Sequence, residues 1–420
     1  MKSVEETAET IQGQRQPLPL FTLFAASAIS YVGDYLTLIA LPWFVLSTTG
    51  SITKTGITAF FSTLPTVLSA FFGSALVDRL GYKRTSVISD IASAVSVALI
   101  PLLYNAVGLA FWQLLVLVFI GGLLKSPGAT ARTSVVPELV GAAQMRMERA
   151  NAINDGISRI SSFIGAPLAG VLIAVIGTSN LLWLDGASFG ISALLIGFII
   201  PSSLVHTQAK EKASNYWADL HDGLRFIRRD SLILAIVMTV MVTNLLDAAF
   251  FSVIEPAYIK KVFNSALPLG LISAALGGAG FVGTILFGAI GHRLPRRLTF
   301  AVAFTIGGAL RFWIFLVPIL PILIIANAIA GLAIAPINSL IDTVTFERVP
   351  AEMRARVFGI GIAGAFVGIP IGTVLSGYLA TLIGLRSSLL VMGALYLVTT
   401  LSLLVNPALK TMDAKKSVGA

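Results

Sequence analysis

Gly73-Ser74-Ala75-Leu76-Val77-Asp78-Arg79-Leu80-Gly81-Tyr82-Lys83-Arg84 lies between two long apolar runs, and its reading decides the fold. One carboxylate, three cations and a turn glycine fill the few residues between the end of one run (55–78) and the start of the next (84–104). About 20 apolar residues suffice to cross the hydrocarbon core of a bilayer. The stretch therefore reads as a tight, charged connection between two membrane crossings.

The same pattern extends outward over the whole chain. Of its 420 residues, 56% are hydrophobic and 12% are charged, against about 25% charged in soluble domains. Mean hydropathy is +0.90. These values exclude a soluble globule. Twelve spans are predicted at 18–46, 55–78, 84–104, 110–134, 150–177, 180–202, 231–258, 266–291, 298–318, 320–344, 355–383 and 386–406. Several connections are only a few residues long, so neighbouring helices run antiparallel. The first 17 residues are polar and acid-rich (Glu5, Glu6, Glu9), unlike a cleavable leader, so the first span is expected to stay. Residues 203–230 form the longest polar interruption. Trp217, Leu220, Leu224, Phe226 and Ile227 recur there at helical spacing beside basic residues, which predicts an interfacial amphipathic helix.

The net charge of +9 is distributed by side. With the N-terminus placed in the cytoplasm, 21 of the 29 Lys and Arg fall in inner segments and four (Lys54, Lys260, Lys261, Arg386) in outer ones. The positive-inside rule then puts both termini in the cytoplasm. It also accounts for the basic balance without a nucleic-acid partner. There is no cysteine, which excludes disulfides, thiolate metal sites and cysteine nucleophiles. His206, His221 and His292 all fall in inner connections. Gly278-Ala279-Gly280-Phe281-Val282-Gly283 fits G-x-G-x-x-G but lies inside a span with no strand before it, so it reads as close helix packing. No ATP-binding loop is present, and no cofactor is expected.

The halves of the chain repeat. Asp78–Thr85 aligns with His292–Thr299 at an offset of 214, and Val136-Pro137 with Val349-Pro350 at 213. Gly165-Ala166-Pro167 aligns with Gly368-Ile369-Pro370 at 203. Landmarks in the same order in both halves are the mark of a duplicated six-helix unit. The expected organisation is a tail (1–17), a first bundle (18–202), a linker (203–230), a second bundle (231–406) and a tail (407–420).

Charge at mid-bilayer costs about 2.5–3.5 kcal/mol per residue, so the ionisable residues inside spans mark candidate sites. Asp34 lies mid-way along the first span, after Tyr31 and Gly33; Asp247 lies mid-way along the seventh, after Asn244. Desolvation tunes carboxyl groups to load and release protons, which suits ion-coupled transport. The alternative is a permanently paired carboxylate. Lys125 in the fourth span is the natural counter-charge for Asp34. Glu255 near the outer end of the seventh span either gates or meets water, and Asn338 and Asp342 sit on the tenth. Arg132 reads as a structural anchor, and Arg311 as buried against a partner such as a backbone carbonyl. Asp90 and Asp155 are expected to network with Arg159, and Asp185 to cap or anchor near the outer mouth. Tyr35, Trp43, Phe250 and Phe251 read first as packing residues.

The opening stretch resembles the loop between the second and third helices of the major facilitator superfamily, roughly Gly-x-x-x-Asp-Arg-x-Gly-Arg-Arg/Lys. Here Gly73 and Asp78 are five apart, and Arg79, Gly81, Lys83 and Arg84 follow in register. Ala166-Pro167-Leu168-Ala169-Gly170 matches the fifth-helix motif of the superfamily's exporters in part. Gly33-Asp34 with Ala40-Leu41-Pro42-Trp43, Val136-Pro137-Glu138-Leu139-Val140 and Gly223–Ile227 resemble the drug-exporter branch that includes macrolide efflux proteins and the enterobactin exporter. The resemblance covers about residues 18–406. It implies an all-α membrane protein of twelve transmembrane helices in two pseudo-symmetric six-helix bundles, whose first, fourth, seventh and tenth helices line a central cavity.

It further implies a transporter rather than an enzyme, a monomer in the bacterial cytoplasmic (inner) membrane, exchanging protons for small amphipathic compounds by alternating access. Lipid-like substrates such as lysophospholipids are the alternative. Asp34, Asp247, Lys125, Tyr31, Asn244, Asn338, Asp342 and Glu255 would serve coupling and the cavity. Gly73, Asp78, Arg79, Gly81 and Arg84 would form a latch in which Asp78 meets the start of the eleventh helix near Arg356–Gly359.

Overall fold

The computed structural model describes residues 16–201, 216–350 and 353–413; the side chains of 70–75, 78, 216–220 and 355 are not described. The described residues contain no strand. The first six spans are single helices: α1 (Leu18–Thr49), α2 (Ile52–Leu80), α3 (Tyr82–Ala106), α4 (Phe111–Ala142), α5 (Met147–Ile176) and α6 (Thr178–Ile199). The amphipathic α7 (Tyr216–Arg229) follows. The seventh span is α8 (Ser231–Ala249), a π-helical turn (Phe250–Ile254) and α9 (Glu255–Phe263). The eighth is α10 (Leu267–Ile290). The ninth is α11 (Arg296–Phe304), a second π-helical turn (Thr305–Ala309) and α12 (Leu310–Ile314). The tenth divides into α13 (Leu320–Ile334) and α14 (Pro336–Arg348) where Pro336 lacks the N–H that would continue the ladder. α15 (Arg354–Ile383), α16 (Leu385–Val405) and the short α17 (Pro407–Lys410) complete the chain. Among the described residues eleven rods are long and apolar enough to cross a membrane, and α2, at 29 residues, has the length of a further span. The protein is an all-α, multi-pass membrane protein.

Local chemistry sets the helix boundaries. Gly81, with φ 81°, turns the chain between α2 and α3 in a conformation that side-chain-bearing residues avoid. Asp230 caps α8, accepting bonds from the backbone N–H groups of Leu232 (3.0 Å) and Ile233 (3.1 Å). α4 runs to Ala142, eight residues past the sequence expectation. Val135, Val136, Leu139 and Val140 are buried there with Leu20, Leu23 and Phe24 of α1 and Ile196 and Ile200 near the end of α6. That burial outweighs the missing hydrogen bond at Pro137, which sits inside the helix. On α7, Ile227 is buried with Ile233, Val349 and Val357. A Cβ on Gly223 would press on Ile360 and the Arg356 carbonyl, so α7 sits directly on α15.

The chain divides into two compact units. One takes 1–36, 68–165 and 182–209; the other takes 37–67, 166–181 and 210–420. The division runs through α1, α2, α5 and the first turn of α6. Within the second unit Gly56 of α2 meets Gly377 of α15, and Thr53 and Thr381 share a hydroxyl hydrogen bond of 2.8 Å beside them. Gly170 of α5 meets Gly270 of α10, where a Cβ would lie 2.7 Å from the facing Cα. Lys260 stands over the Trp43 ring, 5.1 Å from its centre.

Candidate functional site

In the first unit the middle of α1 brings Tyr31, Gly33 and Asp34 against α4 and α6. Lys125 Nζ lies 2.5 Å from Asp34 Oδ1. The two side chains differ in exposure, 47% for Lys125 and 19% for Asp34. Gly33 is what lets α6 approach: a Cβ there would overlap Asp185 Oδ1 and Ser188 Oγ. Ser188 in turn donates to the Asp185 backbone carbonyl at 2.8 Å. Asp185 is therefore not a helix cap at a mouth; it is buried two turns into α6 because the adjacent glycine leaves it room.

Toward the end that carries Arg79, Lys83 and Arg84, Arg132 of α4 is paired with Asp90 of α3. Ser192 of α6 donates to the same carboxylate at 2.7 Å. The expected partner Arg159 is not in this group. Asp155 and Arg159 are exposed, and no ion pair joins them among the described residues. The serine column of α3 (Ser86, Ser89, Ser93, Ser96), buried throughout, explains how α3 and α4 close up. Gly128 of α4 faces Ser89 with no space for a side chain between them, and Gly121 faces Ser96 more loosely, where a Cβ would lie 3.3 Å from the serine Cβ.

In the second unit Asp247 meets Arg311, not a lysine. Arg311 Nη2 donates to Asp247 Oδ1 at 2.6 Å, and Tyr396 of α16 donates to Oδ2 at 3.2 Å. The guanidinium carbon stands 4.2 Å from the Phe251 ring centre and 4.9 Å from that of Phe250. Arg311 is 3% exposed and Asp247 29%. The arginine expected to meet a backbone carbonyl thus takes a carboxylate, because two π-helical turns re-aim the flanking residues. One turn begins three residues after Asp247 and the other ends two residues before Arg311. Gly308 in the second turn faces the Tyr396 ring where a Cβ would overlap it. No sequence pattern signals these turns.

The remaining candidates are scattered. Glu255 is buried at the start of α9, Asn244 donates to the Ala365 carbonyl at 3.0 Å, and Asn338 and Asp342 are exposed on α14. Of the latch residues, Gly81 forms the turn and Arg79 and Arg84 are exposed, whereas the side-chain positions of Gly73 and Asp78 lie outside the described residues. Arg356, near the expected latch contact, has its guanidinium 3.7 Å from Asp222 of α7.

Residues 23–248 and 237–418 match the family description Major Facilitator Superfamily. A multidrug efflux pump, Tap, of Mycolicibacterium fortuitum is 30% identical over 94% of this chain and 97% of its own length. Macrolide efflux protein A of Streptococcus pyogenes is 22% identical over 90% and 93%. Among solved structures, the nucleoside transporter NupG superposes with a TM-score of 0.75 at 14% identity, covering 95% of this chain and all of that one. A bacterial homologue of the human lysosomal transporter Spinster, in an inward-facing and unoccupied conformation, gives 0.70 at 14% over 97% and 100%. At such identities these two show the shared fold alone. With the family description covering both halves and one relative alike along nearly its whole length, the chain is a member of the major facilitator superfamily.

Proposed function

We propose that the protein is a secondary active exporter of small amphipathic, drug-like compounds, driven by protons and working by alternating access as a monomer in the bacterial cytoplasmic membrane, both termini inside. The Asp34–Lys125 pair carries the reading. A carboxylate and an ammonium at mid-span neutralise each other, and the lysine is nearly half exposed, so the contact can open at modest cost. A proton on Asp34 cancels the attraction and frees Lys125. A cationic substrate would do the same by taking the lysine's place. Proton and substrate then compete for one carboxylate, which is the simplest form of exchange. Similarity to efflux pumps over nearly the full chain supports the direction of transport. Asp247, Tyr31, Asn244, Glu255, Asn338 and Asp342 remain proposed contributors to the substrate path, and Gly73, Asp78, Arg79, Gly81 and Arg84 a proposed latch.

The test is proteoliposomes with an imposed pH gradient and a panel of fluorescent cationic amphiphiles beside labelled lysolipid. Gradient-driven movement of the amphiphiles, lost in Asp34→Asn, is the expected result. Full pH-dependent transport by Asp34→Asn would remove Asp34 from the mechanism, and movement of lysolipid alone would replace the substrate class.

A further inference from the structure

Asp185 is a buried acid of the first unit that the exchange at Asp34 leaves unused. It is 1% exposed on α6, and a Cβ on Gly33 would lie 2.2 Å from its Oδ1. Gly33 and Asp34 are consecutive, so about 100° of α1 separates the face that meets Asp185 from the face that meets Lys125. A carboxylate at such depth is stable beside a compensating cation and costly without one. Lys125 carries an ammonium that reaches it: after Asp34, Asp185 is the acid whose charge acts most strongly on that group. Ser188 gives less, since its hydroxyl donates to the Asp185 backbone carbonyl at 2.8 Å and stands 3.3 Å from Oδ1. A third deep acid, Asp90, is committed to Arg132 and Ser192, and the charge of Arg132 opposes that of Lys125.

Two carboxylates thus bear on one ammonium. Asp34 holds it at 2.5 Å, while the flexible stem of Lys125 and its 47% exposure leave the head able to turn. An ammonium displaced from Asp34 but left beside it would repel the cationic substrate that took its place. We infer that Asp185 is the second seat of Lys125, the carboxylate that draws the ammonium away whenever Asp34 is protonated or occupied. Resting on the exchange proposed at Asp34, this seat makes Asp185 a positioning residue: it touches neither the proton nor the substrate and acts through the lysine. Gly33 completes the arrangement, because a side chain there would push Asp185 out of place.

The test is acylation of Lys125 in the purified full chain by an amine-reactive reagent at one fixed alkaline pH, read by peptide mass spectrometry. Asp34→Asn stands for the neutralised acid, so neither substrate nor gradient is needed. With Asp185 as the second seat, Asp34→Asn labels Lys125 nearly as slowly as wild type does. The double variant Asp34→Asn/Asp185→Asn labels at least about fivefold faster, having lost the remaining ion pair. Ser188→Ala, which alters the same packing without removing a charge, leaves the rate of Asp34→Asn unchanged. Equal labelling of Asp34→Asn and the double variant overturns the proposal, as does an equal acceleration by Ser188→Ala. Should the double variant not fold, a crystal structure of Asp34→Asn decides. Lys125 Nζ within hydrogen-bond distance of the Asp185 carboxylate supports the seat, and Lys125 turned to solvent overturns it. Neither readout involves transport, so failure here is separate from retained pH-dependent transport in Asp34→Asn, which would remove Asp34 itself from the mechanism.

Discussion

Asp34 and Asp247 occupy nearly the same register of the repeat but are held in opposite ways. The offset of 214 at Asp78–Thr85 takes Asp34 to Ala248, one residue past Asp247, and the offset of 213 at Val136-Pro137 takes Lys125 to Asn338. The second half has therefore lost the lysine at the equivalent position and draws its cation from a different helix. Arg311 maps back to Ala98, and Tyr396, at the offset of 203, to Ala193. Two small residues in the first half became a cation and a hydroxyl in the second. One carboxylate thus has a single flexible, half-exposed partner at 2.5 Å. The other is held by one guanidinium N–H, a phenol and the edge of an aromatic cluster in which Phe250 packs on Phe312 and Phe315. Duplication supplied two acids at matching depth. Divergence around them left one releasable and locked the other.

The contrast can be broken most severely at Arg311. Arg311→Met leaves Asp247 without its ion partner in a mostly buried site and is expected to cost about 3–5 kcal/mol, read as a large fall in the thermal unfolding midpoint. Adding Asp247→Asn should recover part of it by removing the unpaired charge; equal instability of the double variant would show the loss to be packing alone. Asp34→Asn is the opposite case. It should remove most gradient-driven transport while costing less stability than Arg311→Met, because Lys125 is 47% exposed where Arg311 is 3% exposed. A collapse of the fold in Asp34→Asn would erase the distinction between the two pairs.

Exchanging the cations sharpens the comparison further. Arg311→Lys forfeits the planar fork and its stacking on Phe250 and Phe251, for about 1–2 kcal/mol. Lys125→Arg should stay within about 0.5 kcal/mol of wild type in the same melt. Tyr396→Phe, which deletes one hydrogen bond to a carboxylate that keeps its arginine, falls between the two cation exchanges at about 1 kcal/mol. If that substitution proved as damaging as Arg311→Met, the phenol rather than the guanidinium would hold Asp247.

Much of this architecture was legible in one dimension. A bilayer-spanning helix must satisfy its backbone within itself and face outward with apolar side chains, so run length and composition located the twelve spans within a few residues. The charged turn at Gly81 and the ordered landmarks of the repeat were equally local. Asp34 and Lys125 could be named as partners because Asp34 is the isolated ion of its span and Lys125 the cation nearest the middle of its own. Ends of spans were less readable: α4 continues to Ala142 because α1 and α6 cover Val135–Val140, and no property of residues 135–142 alone reveals that cover.

What the sequence determined by itself is the membrane-spanning class and the mid-span placing of Asp34, Lys125 and Asp247, which follow from the cost of placing chain and charge in hydrocarbon, and the duplication, which follows from its ordered landmarks. Only the tertiary structure decided which charges meet. Arg311 reaches Asp247 through two π-helical turns, Asp90 takes Arg132 and Ser192 instead of Arg159, and Asp185 slots against Gly33. Those choices depend on which helix faces stand opposite one another, and on a single extra residue in a turn rotating a side chain by a third of a circle, neither of which is written in the spacing of residues along one strand of sequence.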